Sequence, residues 1–206
     1  MSEYAIYDVF TDKAFGGNPL AVVFDGGKYD GAQMQRIARE FNLSETSFLC
    51  PTETAGHSAR LRIFTPEREL PFAGHPTVGT AVALAERRMT DGMPKGGIDL
   101  VEVFEETVGP VRCAVRLTPG KPGFAEFDMP KLSQQIETEV AASDMAAALS
   151  IGAHEIGFEN HTVSIWSAGV PFVMVPVHDL SVAAKVRVDT GNWNQLAPQV
   201  EGMAAD

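Results

Sequence analysis

The stretch that decides the fold runs Phe64-Thr65-Pro66-Glu67-Arg68-Glu69-Leu70-Pro71-Phe72-Ala73-Gly74-His75-Pro76-Thr77 and continues through Val78 to Arg88. It reads as a strand end, a polar turn, a short apolar piece and then a helix with a marked start. Thr77 to Ala85 is small and apolar on nearly every side. A helix with no polar face is buried all round. Pro76 suits the first helical position, where its missing N–H costs nothing. Glu86, Arg87 and Arg88 mark the exit, and the two cations match the negative end of the helix dipole. The expectation is a greasy helix over about residues 77–88, entombed in its domain, with Gly74-His75-Pro76 at its mouth. Such a mouth offers unpaired amides and partial positive charge, which suit a carboxylate or phosphate.

The totals agree with a packed protein. The chain has 206 residues, 45% of them hydrophobic, enough for one large or two small domains. A net charge of −11 argues against nucleic acid or an anionic membrane surface as the main partner. It leaves room for a small anionic ligand, because local amides and a few Arg can reverse the field. No apolar run is long enough to span a bilayer, and no basic, apolar leader opens the chain. Cys50 and Cys113 show no close motif, so reduced structural thiols and a cytoplasmic location are expected.

Outward from the helix, strands are expected at 4–10, 20–24, 46–50, 59–64, 98–104 and 111–117. Asp30 caps a helix to about Phe41 whose stripe is Met34, Ile37, Ala38 and Phe41. In residues 59–64, Ala59, Leu61 and Ile63 alternate with Arg60, Arg62 and Phe64. A second unit is expected to follow, with strands at 124–129, 162–167 and 172–177, and an Ala-rich helix at 137–149. Short helices at 181–188 and 192–196 and a weak acidic tail from 199 complete it. This second half has no counterpart of the apolar helix, so strand residues such as Val173 and Val175 lack a filling to pack on, at about 25 cal/mol per Å² of apolar surface.

For the residues that can carry chemistry, two readings stand side by side. Glu45 is either a proton-moving carboxylate at a buried mouth or a surface loop glutamate. His75 either bonds an anion or enolic oxygen, or satisfies the helix cap. Asn18, in Gly17-Asn18-Pro19, either contacts ligand or makes a tight turn. Arg60 and Arg62 either steer an acidic substrate or form a solvated face. His57, His154, His161 and His178 lack metal-ligand spacing, and no metal site is proposed. Ser44, Ser47 and Ser164 sit in no nucleophile elbow.

Taken together, three motifs resemble the PhzF (phenazine biosynthesis-like) family. They are Phe10-Thr11-Asp12 with Phe15-Gly16-Gly17-Asn18-Pro19-Leu20-Ala21-Val22, Asn42-Leu43-Ser44-Glu45-Thr46-Ser47-Phe48, and Arg62-Ile63-Phe64-Thr65-Pro66 with Glu69 to Thr77. The likeness is dense over residues 4–88 and thin through Ser167-Ala168-Gly169-Val170-Pro171-Phe172. It implies an α+β, diaminopimelate-epimerase-like fold, a curved, mostly antiparallel sheet wrapped round a central helix, with a second similar domain that is incomplete here. The division expected is 1–115 for the first domain, with its helix at about 77–88, and 116–206 for a partial second domain lacking its central helix.

The resemblance further implies cofactor-free acid/base isomerisation of a small anionic substrate. Glu45 matches the proton-shuttling glutamate. Asn18, Gly74, His75 and Thr77 fall in the substrate-binding elements. The family's second motif, Asp-Pro-Ala-Thr-Gly-Ser, does not occur in this chain. A shortened chain is therefore expected, acting as a homodimer or with a complementing C-terminal segment. Two other functions remain open. One is a racemase or epimerase of the same fold, which would use a cysteine pair; Cys50 and Cys113 lie outside any Cys-Gly-Asn-Gly-like turn. The other is a catalytically inactive truncated homologue, or a binding or assembly module needing a second chain.

Overall fold

The expected central helix forms as α2, Gly74–Arg87, and nine of its residues, including His75, Pro76, Thr77 and Ala81, are buried. It begins earlier than expected. Ala73 is the N-cap and Pro76 is the third helical residue, still ahead of the first amide that needs a helical acceptor, Thr77 N–H to Ala73 O. The computed structural model describes residues 3–89, 92–137, 140–196, 199–200 and 203–204.

The chain divides into two units, Met1–Pro130 and Lys131–Asp206. In the first, β1 (Tyr4–Val9), β2 (Asn18–Val23), β3 (Glu45–Cys50), β4 (Ala59–Phe64), β5 (Glu69–Leu70), β6 (Ile98–Glu106), β7 (Gly109–Leu117) and β8 (Phe124–Phe127) form one sheet. The strand order is β1-β2-β3-β4-β6-β7-β8, with β5 beside β4. Only the β2–β3 and β4–β6 pairs are parallel. Helix α2 packs on β1, β2 and β3 and also on β6, β7 and β8. Those strands reach from one end of the order to the other, so the sheet must curl round the helix.

The core follows from that curl. Leu20, Val22, Leu49, Leu61, Ile63, Phe104, Val111, Val115 and Leu117 share one buried cluster with Val78, Ala81, Ala83 and Ala85 of α2. Helix and sheet approach closely at Gly79, where an added Cβ would lie 2.6 Å from Leu20 Cδ2 and 2.7 Å from Val9 Cγ2. The sheet's other face carries α1 (Gly31–Phe41) through a smaller cluster of Val23, Met34, Ala38, Phe48 and Phe64, with Ile37 and Phe41 packed against it. Asp30 caps α1 as expected, in a reciprocal box with Gln33. Phe64 is therefore buried too, since β4 is covered on both faces at that end.

The expected domain break at 115/116 falls inside β7. Residues 124–127 pair with β7 as β8 and belong to the first sheet, which moves the boundary to Pro130. Helix residues 137–149 are also corrected. Residues Gln134–Ile136 are strand β9, and the helix α3 is Ala142–Leu149; Thr138 and Glu139 lie outside the described residues. In the second unit β9 joins β10 (Ser164–Ser167) and β11 (Pro171–Met174) in the order β11-β10-β9. Short helices α4 (Leu180–Lys185) and α5 (Thr190–Leu196) follow. Among the described residues of this unit the longest helix is the 8-residue α3. On β11 the side chains left most exposed are Phe172 at 48% and Met174 at 50%, one register away from the Val173 and Val175 face expected. In the tail, β12 (Gln199–Val200) pairs β13 (Met203–Ala204); its other residues lie outside those described.

Candidate active site

Strands β2 and β3 run parallel, so Asn18 and Glu45 both stand at strand starts on the same rim of the sheet. Gly17 delivers Asn18 there. Its φ is +64°, and a Cβ would come within 2.1 Å of the Val9 carbonyl oxygen. Along β3, Glu45, Ser47 and Leu49 share one face by the two-residue period of a strand. Ser47 Oγ lies 2.7 Å from Thr80 Oγ1 of α2, which shows that this face looks toward the helix. Glu45 thus meets the first turn of α2.

The side chains converge there. Glu45 Oε2 is 3.1 Å from His75 Nδ1, an ion-pair distance without the alignment of a hydrogen bond. Asn18 Nδ2 lies 3.4 Å from the same nitrogen, and the Ser44 hydroxyl donates to Asn18 Oδ1 at 2.9 Å. His75 is only 8% exposed, and its Nε2 is buried with no hydrogen-bond partner. Phe10, with φ +63° and 73% exposure, stands beside it with ring centroids 6.4 Å apart.

The helix mouth is open in the chemical sense. Ala73 has no side chain that can cap it, and the amides of Gly74 and His75 precede the first helical hydrogen bond. Unpaired N–H groups, the positive end of the dipole, an imidazole and a carboxylate therefore meet within one turn of helix. Such a set can hold an anion and move a proton beside it.

Of the residues expected from sequence, Asn18, Glu45, Gly74 and His75 come together. Thr77 does not present its side chain to this mouth. It is fully buried, with Oγ1 2.7 Å from Ala73 O and 2.9 Å from Glu106 Oε1. Arg60 and Arg62 lie elsewhere, paired with Glu53 at 2.7 Å and with Glu69 at 2.6 Å. Three residues were missed. Ser44 carries its signal in standing next to Glu45 in the second motif. Phe10 sits in the first motif. Glu106, buried at the end of β6, gave none, because Glu105 and Glu106 read alike in sequence. Among the described residues no group of three His, Cys, Asp or Glu is placed to hold a metal.

Comparison with known proteins places the chain. The family described as phenazine biosynthesis-like protein matches residues 7–204. The chain belongs to this family. An uncharacterized isomerase of Mesorhizobium japonicum is 51% identical over 196 residues, covering 95% of this chain and 63% of the relative. The trans-2,3-dihydro-3-hydroxyanthranilate isomerase of Pseudomonas aeruginosa is 52% identical over 84 residues, 41% of this chain and 30% of that enzyme. Among solved structures, a predicted epimerase from Pseudomonas aeruginosa superposes with a TM-score of 0.79 at 29% identity, over 95% of this chain and 67% of that one. A PhzF-family protein of Bacillus anthracis gives 0.73 at 25% identity, over 94% and 62%. The PhzF-like, diaminopimelate-epimerase-like fold is thus the fold of this chain, which spans 63% of the length of its Mesorhizobium relative.

Proposed function

We propose that this PhzF-family chain is a cofactor-independent isomerase that moves a proton on a small anionic metabolite by acid/base catalysis. The observation that carries the reading is the 3.1 Å approach of Glu45 Oε2 to His75 Nδ1 at the uncapped start of α2. Glu45 takes a proton from a carbon next to a stabilising group, and the electron pair left behind delocalises into that group. The same carboxyl returns the proton to another carbon on the same face. His75 and the Gly74 and His75 amides hold the substrate carboxylate or the developing enolate, where donors fixed in advance act without reorganising. Asn18, held by Ser44, orients the imidazole and borders the ligand. The isomerase names of the relatives support this class of reaction.

The second half of the site comes, in this reading, from a homodimeric copy or a complementing C-terminal segment. The alternative reading is a catalytically inactive homologue, or a binding or assembly module that works only with another chain. No helix among the described residues is long and apolar enough to cross a membrane, and we place the protein in the cytoplasm as part of the same proposal.

The test is solvent exchange. Incubated in D2O with trans-2,3-dihydro-3-hydroxyanthranilate, the substrate named for the Pseudomonas relative, the chain is expected to place deuterium on carbon. Glu45→Gln is expected to abolish that incorporation. Equal incorporation by the variant would remove Glu45 from its role, and no incorporation by either protein would favour the binding module.

A further inference from the structure

Glu106 closes β6 on the inward face it shares with Glu102 and Phe104. It is 8% exposed, and its Oε2 is buried without a hydrogen-bond partner. Its Oε1 faces Thr77 Oγ1 at 2.9 Å, and that hydroxyl lies 2.7 Å from the Ala73 carbonyl oxygen. A hydroxyl carries one proton and a carbonyl none. With the threonine proton given to Ala73, the shorter contact, the proton between Glu106 and Thr77 must come from Glu106. The orphaned Oε2 agrees, since a lone oxygen is far cheaper to bury on a neutral acid than on a carboxylate.

The chain of donors ends at a functional place. Ala73 C=O and Gly74 N–H lie on opposite sides of one planar peptide, so fixing the carbonyl aims the amide. We propose that Glu106 is a positioning residue which, while it keeps its proton, fixes the Ala73–Gly74 peptide through Thr77 and so aims the Gly74 amide at the ligand. The proposal rests on reading the start of α2 as an anion seat. Losing the proton turns Glu106 into an acceptor that competes with Ala73 for the threonine hydroxyl, and the peptide loses its second tether.

Few charges around Glu106 can interfere. It lines a hollow of about 320 Å³ with Glu53, Arg60, Arg62, Glu69 and Glu105. Each arginine there is held by another carboxylate, Arg60 by Glu53 and Arg62 by Glu69. Glu105 accepts from the Thr52 hydroxyl, two backbone amides and His57. From β7 the neighbour is Cys113, whose thiol burial pushes up to about 12. Glu102 on the same strand is bound to Arg88, and α2 adds Thr77, with His75 two residues before it. Burial is then the main influence, raising Glu106 to about 8, with the Thr77 contact pulling the other way.

The experiment is a pH titration of the full chain by NMR, following the Gly74 amide and the Glu106 side-chain carboxyl carbon. Both are expected to shift together with a midpoint near 8. In Glu106→Gln, which keeps a donor toward Thr77, Gly74 should stay at its low-pH position from pH 6 to 10. In Thr77→Val, Glu106 should still titrate and Gly74 should no longer follow. A Glu106 midpoint in the ordinary carboxylate range, or a Gly74 titration that survives in Glu106→Gln, would overturn the proposal. If that variant does not fold, a Gly74 titration unchanged in Thr77→Val overturns it instead. Benzoate added at pH 6.5 tests the anion seat separately: a Gly74 amide indifferent to it rejects the seat, whatever the titrations show.

Discussion

Glu45 and His75 meet at 3.1 Å although they come from elements 30 residues apart in sequence, a strand start and a helix start. Neither is placed by its own hydrogen bonds alone. Asn18 stands between Ser44 and the imidazole, and this third side chain restrains the ring.

Asn18→Ala should therefore weaken catalysis more than folding. Loss of one positioning hydrogen bond of about 1–1.5 kcal/mol corresponds to a roughly 5- to 15-fold fall in kcat/KM for deuterium exchange. The melting temperature should move little. A variant with full exchange activity would show that the ring holds its place unaided.

Gly79 should tolerate nothing larger. Alanine gains up to about 1 kcal/mol of helix propensity, yet its Cβ meets Leu20 and Val9 at 2.6 and 2.7 Å. Overpacking of this kind costs about 1–3 kcal/mol, so Gly79→Ala should be destabilised by roughly 1 kcal/mol in urea unfolding, and Gly79→Val by more. A more stable Gly79→Ala protein would mean that helix and sheet are less tightly apposed.

Arg88 and Glu102 form a lopsided pair. The carboxylate is fully buried and receives Arg88 Nη1 at 2.7 and 2.9 Å, while the Arg88 side chain is 45% exposed. Removing the arginine strands a buried charge. Arg88→Ala should cost about 2–4 kcal/mol, discounted for the solvent that reaches the guanidinium. The double variant Arg88→Met with Glu102→Leu should recover most of that loss. Equal instability of the two variants would refute this account.

Two adjacent glutamates should give the stability profile its two slopes. Burial raises Glu106 from the ordinary 4.5 to about 8, so its folded form binds a proton that the unfolded chain has released. Its contribution is whole below about 4.5 and disappears as pH climbs through about 8, a loss on the order of 3–5 kcal/mol. Glu105 is lowered to about 2, chiefly by the Glu53 amide, with the Thr52 hydroxyl and the Thr54 amide adding to it. Its contribution is present above about 4.5 and fades as pH falls toward 2. Glu106→Gln should flatten the alkaline decline and Glu105→Gln the acid one, read as melting temperature from pH 3 to 9. Parallel curves for either variant and the parent would exclude that residue.

What could be read from sequence follows a physical line. Helix α2 was legible because residues apolar on all sides have only one comfortable place. Glu45 and Asn18 were singled out only by the motifs that resemble the PhzF family, since their own chemistry reads equally as a loop glutamate and a tight turn; His75 carried more signal, standing between Gly74 and Pro76 at a helix start. The boundary near 115 was not, because whether β8 extends the first sheet depends on its pairing with β7, which no local pattern encodes. The helix at 137–149 was overextended because alanine propensity says nothing about where tertiary structure begins it. The inward glutamates of β6 were hidden for a sharper reason. Val101 and Val103 offer the same alternation as Glu102, Phe104 and Glu106, yet Val101 is 51% exposed and Glu102 is at 0%. Thr77 falls among the substrate-binding elements only through the family resemblance, and its rotation about the helix axis, which turns the hydroxyl toward Ala73 O and Glu106, is not visible in sequence.

The β2–β3 register, with Leu20 opposite Glu45 and Val22 opposite Ser47, has a bearing on how the candidate site can fail. A strand displaced by a single residue exchanges its two faces. Here the error would carry the acid to the side of α1 and thrust the Phe48 ring at α2 instead. The integrity of the candidate site is thus inherited from hydrophobic patterning several residues downstream, and a chain that mispaired β3 would lose that site and its core in one event.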